Sequence, residues 1–238
     1  MTATDATTAT ARSTIRLPAI LALLAGVTDV TSWILLGGLF TAHITGNLVV
    51  LAANLVSGTP PRLAAVLALP VFILTAVVAT LCARHFGERK ERTSAVLLGA
   101  QAILLAAAGI LSFTTTASAA PDAPLSVLIG LCAVAAMATQ NSFLHLVPAR
   151  APSTAVMTGN LVSAVIAAVD LVRARGRSST AMASWISSWP LLAGFVLGCL
   201  VGAGASTFFG DHAAVVPAVV AIAVFVGVAA RKRPTAHA

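Results

Sequence analysis

"HITGNLVVLAANLVSG" fills positions 43–58, and "VMTGNLVSAVIAAVDL" fills positions 156–171. Both carry the run Thr-Gly-Asn-Leu-Val, and both stay apolar for about three to four helical turns after it. As a helix, the first phrase rises only about 21 Å at 1.5 Å per residue. The hydrocarbon core of a bilayer is about 30 Å thick. The first phrase is too short to cross comfortably, and the second is marginal and contains Asp170. Whether these phrases cross a membrane or turn back within it decides the fold.

The rest of the chain makes a membrane the natural setting. Of 238 residues, 58% are hydrophobic and 9% charged, and the mean hydropathy is +0.98. A soluble domain carries about 25% charged residues, and a chain this poor in charge could not cover its surface with polar groups. Six long apolar segments, at about 17–40, 63–84, 94–113, 125–147, 188–209 and 213–230, read as transmembrane helices. "MTATDATTATARSTIR" (1–16) is Thr/Ala-rich and reads as disordered. The apolar run after Arg16 outlasts the roughly 7–15-residue core of a signal peptide, so a retained first helix is expected.

The net charge of +7 raises the question of nucleic acid. The basic residues, however, sit in short clusters between apolar runs, where cytoplasmic loops meet anionic headgroups. The lipid bilayer, not nucleic acid, is the expected partner. Cys82, Cys132 and Cys199 lie in apolar runs without a CxxC or metal-type spacing and read as packing residues. No metal and no cofactor are expected.

Charge placement distinguishes the topologies. If both TGN phrases span and the N-terminus is inside, Arg84, Arg89, Lys90, Arg92 and Arg150 fall outside, and the 14 Lys and Arg residues divide 9 in to 5 out. If neither spans, only Arg62 is outside, and the division is 13 to 1. The positive-inside rule selects the second arrangement. The expected fold is therefore all-α, a polytopic membrane helix bundle. It has six transmembrane helices plus two short re-entrant TGN helices, related by an inverted 3+3 internal repeat. Its parts are a cytoplasmic N-terminus (1–16), a first membrane repeat (17–113), an external linker (114–124), a second repeat (125–230) and a cytoplasmic tail (231–238). Three crossings per half is an odd number, which inverts the second half, and such repeats with broken helices place binding sites near the midplane.

Irregular backbone at membrane depth is tolerated only where it faces protein or a wet cavity. Gly46 and Gly159 permit the turn. Thr45, Asn47, Thr158 and Asn160 have the side-chain oxygens that cap helix N-termini. Two positive helix ends converging from opposite faces would offer N–H groups and Asn amides to an anion or a polar neutral solute. A dry, purely architectural cap is the competing reading. Asp29, in "GVTDVTSW", costs at least about 2.5–3.5 kcal/mol at the bilayer centre, so it needs a partner or a function, a proton site among them. Gln140 and Asn141 hold a near-equivalent place in the second half and could face Asp29, as pathway or as hydrogen-bonding glue. His43 and His145 flank the dips and read as interfacial, and Gln101 reads as an interhelical hydrogen-bond partner. Asp170 and Arg173 suggest an ion pair. Gly194, Gly198 and Gly202 form a small-residue face for close packing, within the bundle or in a homo-oligomer. Trp185 and Trp189 fit an aromatic belt at the membrane entry of their helix.

"GVTDVTSWILLGGLFTAHITGNLVVLAANLVSG" together with "TQNSFLHLVPARAPSTAVMTGNLV" resembles the YoaK family, a domain-of-unknown-function family of bacterial integral membrane proteins. The resemblance rests on Gly26, Asp29, Thr45, Gly46, Asn47, Gln140, Asn141, Thr158 and Gly159 and covers nearly the whole chain after Arg16. It implies a six-helix multi-pass protein of the bacterial inner (plasma) membrane and no established activity. No HExxH, GxSxG or Walker A pattern occurs, so an enzyme is not expected. The leading expectation is a secondary transporter or channel for a small, unidentified solute. The alternative is a non-transporting scaffold or assembly partner that uses the glycine face.

Overall fold

The structure, a computed structural model, describes the backbone of residues 3–147 and 157–230 and the side chains from residue 17 onward within them. These residues are helical: α1 (Ala3–Leu35), α2 (Ile44–Ser57), α3 (Leu63–Phe86), α4 (Lys90–Leu111), α5 (Pro124–Leu146), α6 (Met157–Arg173), α7 (Ser179–Phe209), a 3-10 turn (Gly210–Ala214) and α8 (Val215–Ala230). Among the described residues there is no strand. The two TGN phrases open α2 and α6, of 14 and 17 residues.

Five stretches are long and apolar enough to cross a membrane: Leu17–Leu35, Leu63–Phe86, Lys90–Leu111, Pro124–Leu146 and Ser179–Ala230. The last holds 52 residues and contains α7, the 3-10 turn and α8. These helices mark an integral membrane protein. Outward-facing Val49, Leu55, Val56, Ile103, Ile110 and Phe208 are exposed, a surface suited to lipid rather than water.

Two helices depart from the hydropathy reading. The segment 3–16, expected to be disordered, continues α1 towards the N-terminus. It has neither glycine nor proline, so nothing local breaks the helix before Pro18. α7 starts at Ser179, nine residues before the apolar run at 188, because Ser178 accepts the Ala181 N–H at 3.2 Å and caps it. Trp185 and Trp189 therefore stack inside α7, with ring centroids 6.2 Å apart.

α5 and α1 are the central helices. Of their spanning windows 78% and 61% is buried, against 17% for α3. α1 packs on α7, α3 on α5, α4 on both α5 and α8, α2 on α3 and α6 on α7. Lipid tails are as apolar as leucine, so helices in a bilayer associate through close fit and hydrogen bonds rather than through hydrophobic burial. The α1–α7 seam shows how close the fit is. A Cβ on Gly194 would collide with the Ala19 carbonyl oxygen, and one on Gly198 with that of Leu23. One on Gly202 would sit 2.8 Å from that of Val27. From the other side, Gly26 lies against the Phe195 carbonyl. The glycine stripe is thus an internal seam between two helices of the same chain. Around it, Leu21, Leu24, Leu98, Leu105, Met137 and Leu144 form the central core.

Three linkers meet at one end of the bundle. Arg62, before α3, pairs with Asp122 in the α4–α5 linker at 3.0 Å. Asp211, between α7 and α8, accepts from the Ser118 N–H at 2.7 Å and its hydroxyl at 3.0 Å. The α3–α4 and α6–α7 turns lie at the far ends of those helices.

The seam makes a direct prediction. Gly198→Ala should force α1 and α7 apart and lower stability by about 1–3 kcal/mol. Gly204→Ala, with nothing within 4 Å of an added Cβ, should leave it unchanged or slightly raised. Thermal denaturation of the detergent-solubilised variants, followed by size-exclusion chromatography, reads the difference.

Candidate functional site

α1 ends at Leu35, and the chain turns at Gly37 and Gly38, both at positive φ (65° and 93°). It then doubles back along α1. Asp29, six residues before the helix end, is only 4% exposed, and residues 41–43 close around its carboxylate. Oδ1 accepts from the Thr41 N–H (2.7 Å), the Thr41 hydroxyl (2.9 Å) and the Ala42 N–H (2.7 Å). Oδ2 accepts from the His43 N–H (3.3 Å) and pairs with His43 Nδ1 (2.6 Å). Asp29 therefore ties down the three residues that lead into α2, the last of them its N-cap His43. Free N–H groups and the positive end of the helix dipole both favour a carboxylate there. His43 also turns its ring edge to Phe195 on α7, with centroids 5.0 Å apart.

The TGN residues themselves do other work. His43 is the N-cap of α2 and its side chain makes no capping bond. Thr45 is exposed. Asn47, expected to cap or to meet a solute, is buried and holds both main-chain groups of Phe40. Its Oδ1 accepts the Phe40 N–H at 2.9 Å, and its amide donates to the Phe40 carbonyl at 2.7 Å. Gly46 is required because an added Cβ would lie 2.7 Å from the Phe40 ring, which also packs on Trp33 at 4.6 Å. In α6, Thr158 and Gly159 are exposed and Asn160 is half-buried, its amide 4.0 Å from Met157 Sδ.

Gln140 does not face Asp29. Its amide donates to the Leu21 carbonyl at 2.9 Å, and its oxygen accepts from Gln101 at 2.7 Å, which ties α1, α4 and α5 together. Asn141 is buried with its Oδ1 unpartnered, and its carbonyl meets His145 Nδ1 at 2.9 Å. Asp170 and Arg173 line an open groove between α6 and α7 without forming the expected ion pair.

A small, largely apolar cavity of about 20 Å³, room for about one water, sits between α1, α4, α5 and the start of α8. Thr28, Thr31, Ser32, Ser112 and Asp211 are among the residues around it, beside Leu105 and Ala133. None of the TGN residues lines it. The one sequence trace of this cavity is the spacing of Thr28, Thr31, Ser32 and Leu35 on one helical face; the Asp29 cradle leaves none, because Thr41 and His43 lie beyond the Gly37–Gly38 turn. Among the described residues no cluster of His, Cys, Asp and Glu could hold a metal.

A family model described as "Protein of unknown function (DUF1275)" matches residues 17–227. The chain belongs to this family. The match agrees with a domain-of-unknown-function assignment, and no named relative ties the chain to the YoaK proteins in particular. No curated protein and no solved structure matches the chain.

Asp29→Ala should leave the amides of residues 41–43 without an acceptor, at about 1–3 kcal/mol for each buried group left unpaired. Asn47→Leu should release Phe40. Both should lower the melting temperature, while Thr158→Ala, at an exposed position, should not. Equal melting temperatures for all three variants would contradict this assignment.

Proposed function

We propose that the protein is a secondary transporter or channel for a small polar solute, built as an inverted repeat in a bacterial plasma membrane. The observation that carries this reading is the paired packing of the two halves, the layout in which transporters built from inverted repeats place a binding site between the repeats.

The repeat is supported by packing and by sequence. Exchanging α1 with α5, α2 with α6, α3 with α7 and α4 with α8 turns the α1–α7 contact into α5–α3, and α2–α3 into α6–α7. The phrase is also longer than five residues. "TAHITGNLV" (41–49) and "TAVMTGNLV" (154–162) differ only at their third and fourth positions; residues 154–156 lie outside the described residues.

The re-entrant reading of α2 and α6 is supported by depth. α2 starts beside Asp29, about 9 Å back along α1 from its end, and returns towards Arg62. α6 starts at Met157, packed with Ala22 and Leu191, about 18 Å along α7 from Ser179. It returns to Arg173 near that same end of α7. The two dips therefore enter from opposite ends. Among the described residues, Arg84, Arg89, Lys90, Arg92, Arg173, Arg175 and Arg177 gather at one end of the bundle and Arg62 at the other. The positive-inside rule then puts both termini in the cytoplasm, and α8 becomes the sixth crossing. The scaffold alternative relied on the glycine face of α7, which α1 covers.

Single-cysteine variants at residues 60 and 90 should be labelled from opposite sides of sealed vesicles. Labelling from the same side would mean that α2 spans, and would end the re-entrant model. Proteoliposomes should move at least one small polar solute faster than protein-free vesicles.

A further inference from the structure

An open groove of about 560 Å³ lies between the C-terminal half of α6 and the start of α7, a size within the range of small-molecule sites. Its wall holds two opposite charges, Asp170 and Arg173, both on α6. Three residues apart on one helix, such side chains are neighbours, about 5–6 Å apart at Cβ, and can pair. Here both are exposed, and neither makes an ion pair among the described residues. Ser178, Thr180 and Ser184 bring hydroxyls to the facing wall. The Ser178 oxygen accepts the Ala181 N–H, which leaves its proton to donate outward.

The groove stands at the edge of the apolar layer. The long apolar stretch Ser179–Ala230 begins at it. Trp185 and Trp189 stack on α7 within the next three turns, where an aromatic belt belongs. Ahead of Asp170 in the chain, Val162, Val165, Ile166 and Val169 are exposed and give α6 a hydrocarbon face. Ile166 is also part of the groove wall, so that face is continuous with the groove.

A lipid fits this combination, and the two charges select its headgroup. A purely anionic head would meet Arg173 but also the Asp170 carboxylate, which repels it. A choline head carries a cation without an N–H for Asp170 to accept. A phosphoethanolamine head suits both: its phosphate oxygens accept from the guanidinium and the hydroxyls, and its ammonium donates to the carboxylate.

We propose that the α6–α7 groove binds the phosphoethanolamine head of a membrane lipid, with the phosphate on Arg173, the ammonium on Asp170 and an acyl chain along the exposed face of α6. The proposal is independent of the transport reading.

The test uses the full-length protein in detergent, titrated with phosphatidylethanolamine, phosphatidylcholine and phosphatidylglycerol of identical acyl chains, and with water-soluble phosphoethanolamine. Native mass spectrometry counts the bound lipid. Phosphatidylethanolamine should bind about fivefold more tightly than either other lipid, the worth of one exposed ion pair. Soluble phosphoethanolamine at equal concentration should not displace it. Asp170→Asn should erase the preference, and Arg173→Gln should weaken all three lipids. Both side chains are exposed, so both variants should elute as the parent does in size-exclusion chromatography. Phosphatidylglycerol binding as tightly or more tightly would mean that the nearby Arg175 and Arg177 decide the matter, and would overturn the proposal. Equal binding of phosphatidylcholine would overturn it too, and so would displacement by the soluble compound. A preference that survives in both variants would place the lipid away from this groove.

Discussion

The structure depends on one buried carboxylate. Asp29 gathers the Thr41, Ala42 and His43 amides, the Thr41 hydroxyl and the His43 ring at the point where the chain re-enters the bundle. Three backbone N–H groups on the approach to a helix start, deep in an apolar environment, would each cost free energy if left unpaired. A carboxylate from the neighbouring helix supplies their acceptor and matches the helix dipole. A charge that is expensive in a membrane and a helix start that is expensive in a membrane thus cancel each other. Asn47 completes the turn by holding Phe40, and Gly46 leaves room for its ring.

The same economy of polar groups runs through the bundle. Gln101 and Gln140 satisfy each other and the Leu21 carbonyl. The Thr28 and Thr31 hydroxyls on α1 bond back to their own helix. Association between helices rests on small residues, glycine in the α1–α7 seam and alanine (Ala64, Ala65, Ala68) where α3 meets the central helices. In a solvent that gives no hydrophobic reward for packing, contact distance replaces side-chain volume as the source of cohesion.

Much of this was legible in the sequence, and the reasons differ by element. The long helices followed from hydropathy, which needs only length and composition. The shortness of the TGN helices followed from counting residues against bilayer thickness. The partner of Asp29 was not legible, because Thr41 and His43 lie across a turn whose path depends on Gly37 and Gly38, and periodicity does not cross a turn. Asn47 was read as facing a solute because the sequence lists its amide but not the Phe40 backbone it grips. The cavity escaped for a related reason: Thr28, Thr31 and Ser32 are ordinary in a membrane helix, and only the meeting of α1 with α4, α5 and the Asp211 turn encloses them. The start of α1 was missed because composition described residues 3–16 as polar without saying that nothing in them stops a helix.

The α1–α7 seam has a mechanical consequence. Where Gly194, Gly198 and Gly202 meet α1, backbone touches backbone, and no side chain there can change rotamer to absorb a displacement. At those points the two helices resist sliding past one another, and the seam stiffens α1 along the stretch that also carries Asp29.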